Sequence, residues 1–161
     1  MHTFSAKGKR LSSMRRAARA IIRRKDELLL MHRNKFGSEY DILVGGGVEL
    51  GEEPEAALLR EIREETGINV TQPKLVFVEE AGEPYGTQYI YLCDYTDGEI
   101  KLDPSSTEAK INQLGKNLYQ PVWRKLSEFE DIDFHTPELK RAMLDAFKNG
   151  FPSQPIDITN S

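Results

Sequence analysis

Cysteine is almost missing from this chain, with Cys93 the one copy in 161 residues. A lone thiol excludes an internal disulfide framework and a zinc site built on paired cysteines, and it fits a reducing, cytoplasmic setting. Long apolar runs are missing too. "LLLM" at 28–31 falls far short of the roughly 20 residues that a membrane-spanning helix needs, so no membrane partner is expected. No internal repeat or low-complexity linker breaks the sequence, which favours one domain. Acid is missing from residues 1–25, which hold nine of the 22 Lys and Arg; all 26 acidic side chains lie beyond them. The net charge of −4 therefore hides a basic beginning and an acidic body. An acidic body argues against broad nucleic-acid binding.

What is present is ordinary for a globular protein: 39% hydrophobic and 30% charged residues, in a chain long enough to bury a core without staples. Residues 1–13 read as a basic flexible arm, 14–150 as the folded domain and 151–161 as a loosely held tail. The chain's beginning, "MHTFSAKGKRLSSMRRAARA", is open to two further readings: a segment that meets phosphates, or an organellar transit peptide.

Strands are expected at 15–24, 28–33, 39–44, 74–82, 87–98 and 121–129, from apolar runs and turn residues. The segment 103–120 has no clear period and reads as a loop or short helix. Residues 136–150 read as a helix, with Thr136 as N-cap, Pro137 in the first turn and Gly150 closing it. Strands on both sides of a helix, with another helix at the end, imply an α+β fold with a mixed sheet between helices.

The clearest helix runs from 54 to 66. Glu53 can act as an acidic N-cap, Pro54 sits where a missing N–H costs nothing, and Gly67 supplies a left-handed stop. At about 100° per residue, Glu61, Glu64 and Glu65 share one sector while Leu58, Leu59 and Ile62 share another. Like charges four apart destabilise a helix, so the carboxylate face needs a reason. A solvated acidic surface balanced by Arg60 and Arg63 is the plain reading. A hard cation such as Mg²⁺ or Mn²⁺, which prefers oxygen ligands, is the functional one. The glycines of "VGGGVELGEE" allow close backbone approach just ahead of the helix and favour the second.

Gly46, Glu52, Arg60, Glu61, Ile62, Glu64, Glu65, Gly67 and Ile68 fill every defined position of a pattern that resembles the Nudix box. Val44 departs from the proline that many members carry there, a turn-shaping position and not a ligand. The resemblance implies a Nudix-like α/β/α sandwich. It also implies hydrolysis of a nucleoside diphosphate linked to another group, water attacking phosphorus with Mg²⁺ or Mn²⁺ as cofactor. Carried over by position, Glu61, Glu64 and Glu65 would hold the metal with a carbonyl of Gly45 or Gly46, and Glu52 and Arg60 would orient them. Glu61 is the favoured general base, with Glu79, Glu80, Glu83 and Glu108 as rivals.

Sub-family markers sixteen and seventeen residues beyond the box, a proline in ADP-ribose hydrolases and a tyrosine in dinucleoside polyphosphate hydrolases, are met by Pro84 and Tyr85 together. ADP-ribose, dinucleoside polyphosphates and oxidised nucleoside triphosphates thus all stay open. Arg19, Tyr85 and Glu108 are the candidate substrate-binding residues, and Tyr89, Tyr91, Tyr119 and Trp123 offer further stacking surfaces. Arg15, Arg19 and Arg23 share one strand face and Arg16 and Arg24 the other, as phosphate ligands or as solvated edge-strand charge. His32 reads as a strand residue and His135 as exposed. A small-molecule nucleotide is the expected partner, and a homodimer is compatible with the sequence. A non-catalytic nucleotide sensor on the same fold is the alternative.

Overall fold

A computed structural model describes residues 15–160, so the basic arm at 1–13 lies outside the described residues. Seven strands form one mixed sheet: β1 (Arg16–Arg24), β2 (Glu27–Lys35), β3 (Ser38–Gly47), β4 (Asn69–Glu80), β5 (Thr87–Asp97), β6 (Asn117–Lys125) and β7 (Ile156–Thr159). Their order across the sheet is β6-β2-β3-β1-β5-β4-β7. The β1–β5 and β4–β7 pairs are parallel and the others antiparallel. The helices are α1 (Pro54–Thr66), α2 (Thr107–Asn112) and α3 (Pro137–Asn149), with a 3₁₀ turn at Leu126–Asp131.

Strand alternation explains the layering. On β1, Ala18, Ala20 and Ile22 join Leu58 and Ile62 of α1 in one core cluster. Ile21 turns the other way, toward Leu139 and Met143 of α3. "LLLM" is buried on both faces, Leu29 and Met31 toward α1 and Leu28 and Leu30 toward α3. The α/β/α sandwich follows. Small residues on β1 leave room for α1 to approach the strand ends that carry the glycines.

Three expectations need correction. β1 is not an edge strand: it lies between β3 and β5, and Arg19 is buried. Leu59 does not join the core but stays 37% exposed. Residues 151–160 are not loose. Phe151 packs against Phe77 and Phe147, Ile158 joins the α3-side core, and β7 pairs with β4 from Phe77↔Ile156 to Glu80↔Thr159. A strand this short gives little periodicity, and its partner lies far away in the chain. Among the described residues no helix is long and apolar enough to cross a membrane.

Candidate active site

The end of β3 brings backbone and carboxylates together. Gly45 (φ 131°) is in a conformation that side chains rarely adopt. Its N–H donates to Glu65 Oε1 at 2.8 Å, and its carbonyl accepts from Arg19 at 3.1 Å. A methyl group at Gly46 would lie 2.5 Å from the Glu61 carboxyl carbon, so the carboxylate would have to leave its place to admit one. α1 delivers both glutamates. Pro54 starts it, and Gly67 (φ 71°) closes it by donating to Arg63 O. Glu53 occupies the N-cap but makes no side-chain cap bond.

Arg60 is the clamp of this helix. It donates to both oxygens of Glu52 at 3.0 Å and to Glu61 Oε1 at 2.9 Å, with Glu64 3.7 Å away. Such forked contacts fix geometry as well as charge. Glu52 is held below the usual carboxylate range by the Arg60 hydrogen bonds.

Glu61, Glu65 and Glu108 converge, with one oxygen from each lying within 4.8 Å of the others. Glu108 arrives on α2, and the segment leading into α2 is tied to the end of α1 by Lys101 N–H to Thr66 O at 2.7 Å and Asp103 N–H to Glu64 O at 2.9 Å. Burial pushes the Glu65 carboxyl well above its ordinary range, and Glu108 and Glu61 reinforce the shift against Arg19. Burial also raises Glu61, with Glu108 adding to it. Two buried glutamates and a third, partly buried one therefore share one guanidinium at Arg19 and part of another at Arg60. This all-oxygen, negatively overcharged cluster fits a hard dication such as Mg²⁺ or Mn²⁺.

The cluster opens into a cavity of about 250 Å³ whose lining includes Arg19, Glu65, Tyr85, Glu108 and Tyr119. Glu64, which the sequence grouped with Glu61 and Glu65, lies beside this convergence and faces Arg60. Arg19 lines the cavity, but its Nε is spent on Gln88 Oε1 (3.1 Å) and one amino group on the carbonyls of Leu43 and Gly45. Tyr91 is buried, and Tyr89 and Trp123 pack against the α1-side core. Glu79 is fully buried and bonded to Gln88, Thr136 and Asn160, away from solvent. His32 belongs to a separate depression with Asp41 and Arg124. His135 is not simply exposed: its ring stacks on Tyr40 with centroids 4.2 Å apart.

Against this geometry, comparison with known proteins is decisive at the family level. The family model described as NUDIX domain matches residues 13–143. The chain belongs to the NUDIX domain family. A similar curated relative of this NUDIX protein is the NAD-capped RNA hydrolase NudC of Photorhabdus laumondii subsp. laumondii, 38% identical over 84 residues, 52% of this chain and 32% of that protein. The match thus spans about a third of that relative's length. Among solved structures, an ADP-ribose pyrophosphatase from Streptococcus suis 89-1591 superposes with TM-score 0.61 at 16% identity, covering 91% of this chain and 98% of that one. A MutT NUDIX hydrolase from Burkholderia pseudomallei gives TM-score 0.58 at 24% identity, covering 81% and 95%. These two likenesses establish the fold.

The cavity also contains Arg33, which sequence reasoning passed over. Its signal was a charge following the buried run "LLLMH", but its neighbour Tyr119 is supplied by strand pairing across the sheet (Arg33↔Tyr119), which spacing along the chain does not reveal.

Proposed function

We propose that this NUDIX protein is a divalent-cation-dependent pyrophosphohydrolase acting on a nucleoside diphosphate linked to another group. The convergence of Glu61, Glu65 and Glu108 within 4.8 Å, with Glu65 and Glu108 in the cavity lining, carries the reading. Glu61 and Glu65, with Glu108, would hold Mg²⁺ or Mn²⁺. Glu64, 3.7 Å from Arg60, would join them once turned from that partner. The cation would supply neutralisation of phosphate oxygens and acidification of a water.

The chain's own groups do the positioning. The Gly45 N–H holds one oxygen of Glu65, a residue that lines the cavity. Arg60, anchored on Glu52, fixes the rotamer of Glu61. Because Arg19 already occupies the Gly45 carbonyl, the Gly46 carbonyl is the better backbone ligand of the two. In this scheme Glu61, held by Arg60 at 2.9 Å, takes the proton of the attacking water as general base. The water oxygen bonds to phosphorus as the bridging P–O bond breaks, leaving a nucleoside monophosphate and phosphorylated X. Tyr85, in the cavity wall, offers an aromatic face to the substrate.

The name of the Photorhabdus relative points to NAD-capped RNA, which presents the same dinucleotide pyrophosphate. Capped RNA therefore joins the candidate substrates despite the acidic body. The test is product analysis of a nucleotide panel with and without Mg²⁺. Monophosphate release that depends on the cation is expected. Binding of nucleotides without turnover of any panel member would favour the non-catalytic sensor.

A further inference from the structure

Arg33 is a buried cation without a carboxylate partner among the described residues. Only 7% exposed, it donates Nε to Leu118 O at 3.2 Å and an amino group to Asn117 Oδ1. Its guanidinium carbon lies 3.7 Å from the centroid of the Tyr119 ring and 6.0 Å from that of Tyr40. Both tyrosines are its cross-strand partners, on β6 and β3, and directly paired residues share a sheet face. Among the described residues no Asp or Glu oxygen comes within 4.0 Å of Arg33, Lys35 or Arg15. Residues 1–14 contain no Asp or Glu, so they hold no acidic side chain to supply one.

A desolvated guanidinium without a counter-charge is costly. Stacking on Tyr119 offsets part of that cost, and the two hydrogen bonds hold the fork still. Held this way, Arg33 is preorganised for an oxyanion. It lines the same cavity as Glu65 and Glu108, with the exposed Lys35 and Arg15 at the same lining. The cavity is therefore bipolar. The Tyr119 hydroxyl registers both poles, burial raising it first, Arg33 opposing, and Glu108 and Glu65 adding to the rise.

We infer that Arg33, assisted by Lys35 and Arg15, forms a subsite for phosphate beyond the scissile linkage, so that the preferred substrates are nucleotides with a linear chain of three or more phosphates. This rests on the hydrolase reading above and deepens it. A diphosphate is matched by the dication at the glutamates, whereas a further phosphoryl group needs its own cation. Arg33 is the fixed one.

The test compares diadenosine di-, tri- and tetraphosphate, which differ only in phosphate number, by kcat and KM in Mg²⁺. For the unaltered protein, kcat/KM should rise at least about tenfold from diphosphate to tetraphosphate, as expected for one added charge-assisted contact. Arg33→Gln should remove most of that ratio, mainly through KM, and Lys35→Gln, at an exposed position with no fold at risk, should lower it about threefold. Arg33→Lys should keep part of it. Calorimetric titration with inorganic tripolyphosphate in EDTA gives a readout free of turnover, and Arg33→Gln should weaken it at least about fivefold. A ratio near one in the unaltered protein, or one unmoved by both Gln variants, overturns the inference. If no dinucleotide is cleaved, the nucleotide panel decides the hydrolase reading, and the tripolyphosphate titration alone decides the subsite.

Discussion

Glu65 and Glu64 are adjacent in the chain and differ in almost everything else. Glu65 is buried, bonded to the Gly45 N–H and strongly inclined to keep its proton. Glu64 is 38% exposed at its side chain and faces Arg60. Loss of Glu65 should therefore hurt more: Glu65→Gln is expected to lower turnover at least about a hundredfold, the scale seen when one preorganised group is removed from such a site. Steady-state rates in saturating Mg²⁺ check it, with circular dichroism as a control on the fold. Gly46→Ala should be nearly as damaging, because the new methyl meets the Glu61 carboxylate at 2.5 Å, and a rate within twofold of normal would show that the carboxylate moves aside harmlessly.

The raised Glu65 and Glu61 also set a pH trend. A carboxyl whose folded pKa lies above its unfolded value binds more protons when folded. The metal-free protein should thus lose stability as pH rises from the ordinary carboxylate range near pH 4.3 through the raised values. A dication binds the ionised form and reverses this. The rise in Tm on adding Mn²⁺ should therefore be larger at about pH 8 than at about pH 5, and an equal rise at both would contradict the assignment of these shifts.

At the scale of elements, α1 was legible because its signals are local: Pro54 and Gly67 mark its ends, and both borders stand where the sequence puts them. The α3 N-cap was legible for the same reason, Thr136 accepting from Leu139 N–H at 3.1 Å. Glu108 was visible as an acid but not as a neighbour of Glu61, since its place depends on backbone bonds from Lys101 and Asp103 to the end of α1. β1 was taken for a possible edge because arginines crowd it; its parallel partner β5 lies some seventy residues away. The tail was misjudged for a similar reason. Removing residues 156–161 should strip Ile158 from the core and the Asn160 amide, 3.0 Å away, from buried Glu79. A cost of about 2 kcal/mol or more is expected, lowering Tm by about 4 °C or more; an unchanged melting curve would mean β7 is ornamental.

The β2–β3–β6 face carries a second titrating group. Burial opposes the charge on His32, but hydrogen bonds to Asp41 at 2.7 Å and Glu39 at 3.0 Å outweigh it and raise its pKa. A raised histidine contributes its full stability below the unfolded value near pH 6.5 and loses it as pH climbs through the folded one. Urea unfolding should show stability falling over that window, and His32→Asn should flatten the slope. A slope unchanged by the substitution would remove His32 from the account.

For the molecule as a whole, charges of both signs meet in one cavity. Among the described residues Arg33, Lys35 and Arg15 stand without carboxylate partners in the same cavity wall that carries Glu65 and Glu108, and α1 and α3 hold the sheet that aligns them. Family and sandwich were readable from nine box positions because each is tied to a local need: a bare backbone, a helix end or a carboxylate. The Arg33 cluster was not readable, because Arg33, Tyr40 and Tyr119 meet only through strand pairing. The central claim is that the α1 glutamates exist to hold a hard dication. Anomalous diffraction from crystals soaked in Mn²⁺ tests it most directly. A single strong peak within bonding distance of Glu61 and Glu65 is the predicted result. A map without one, at a manganese concentration that supports turnover, would contradict it.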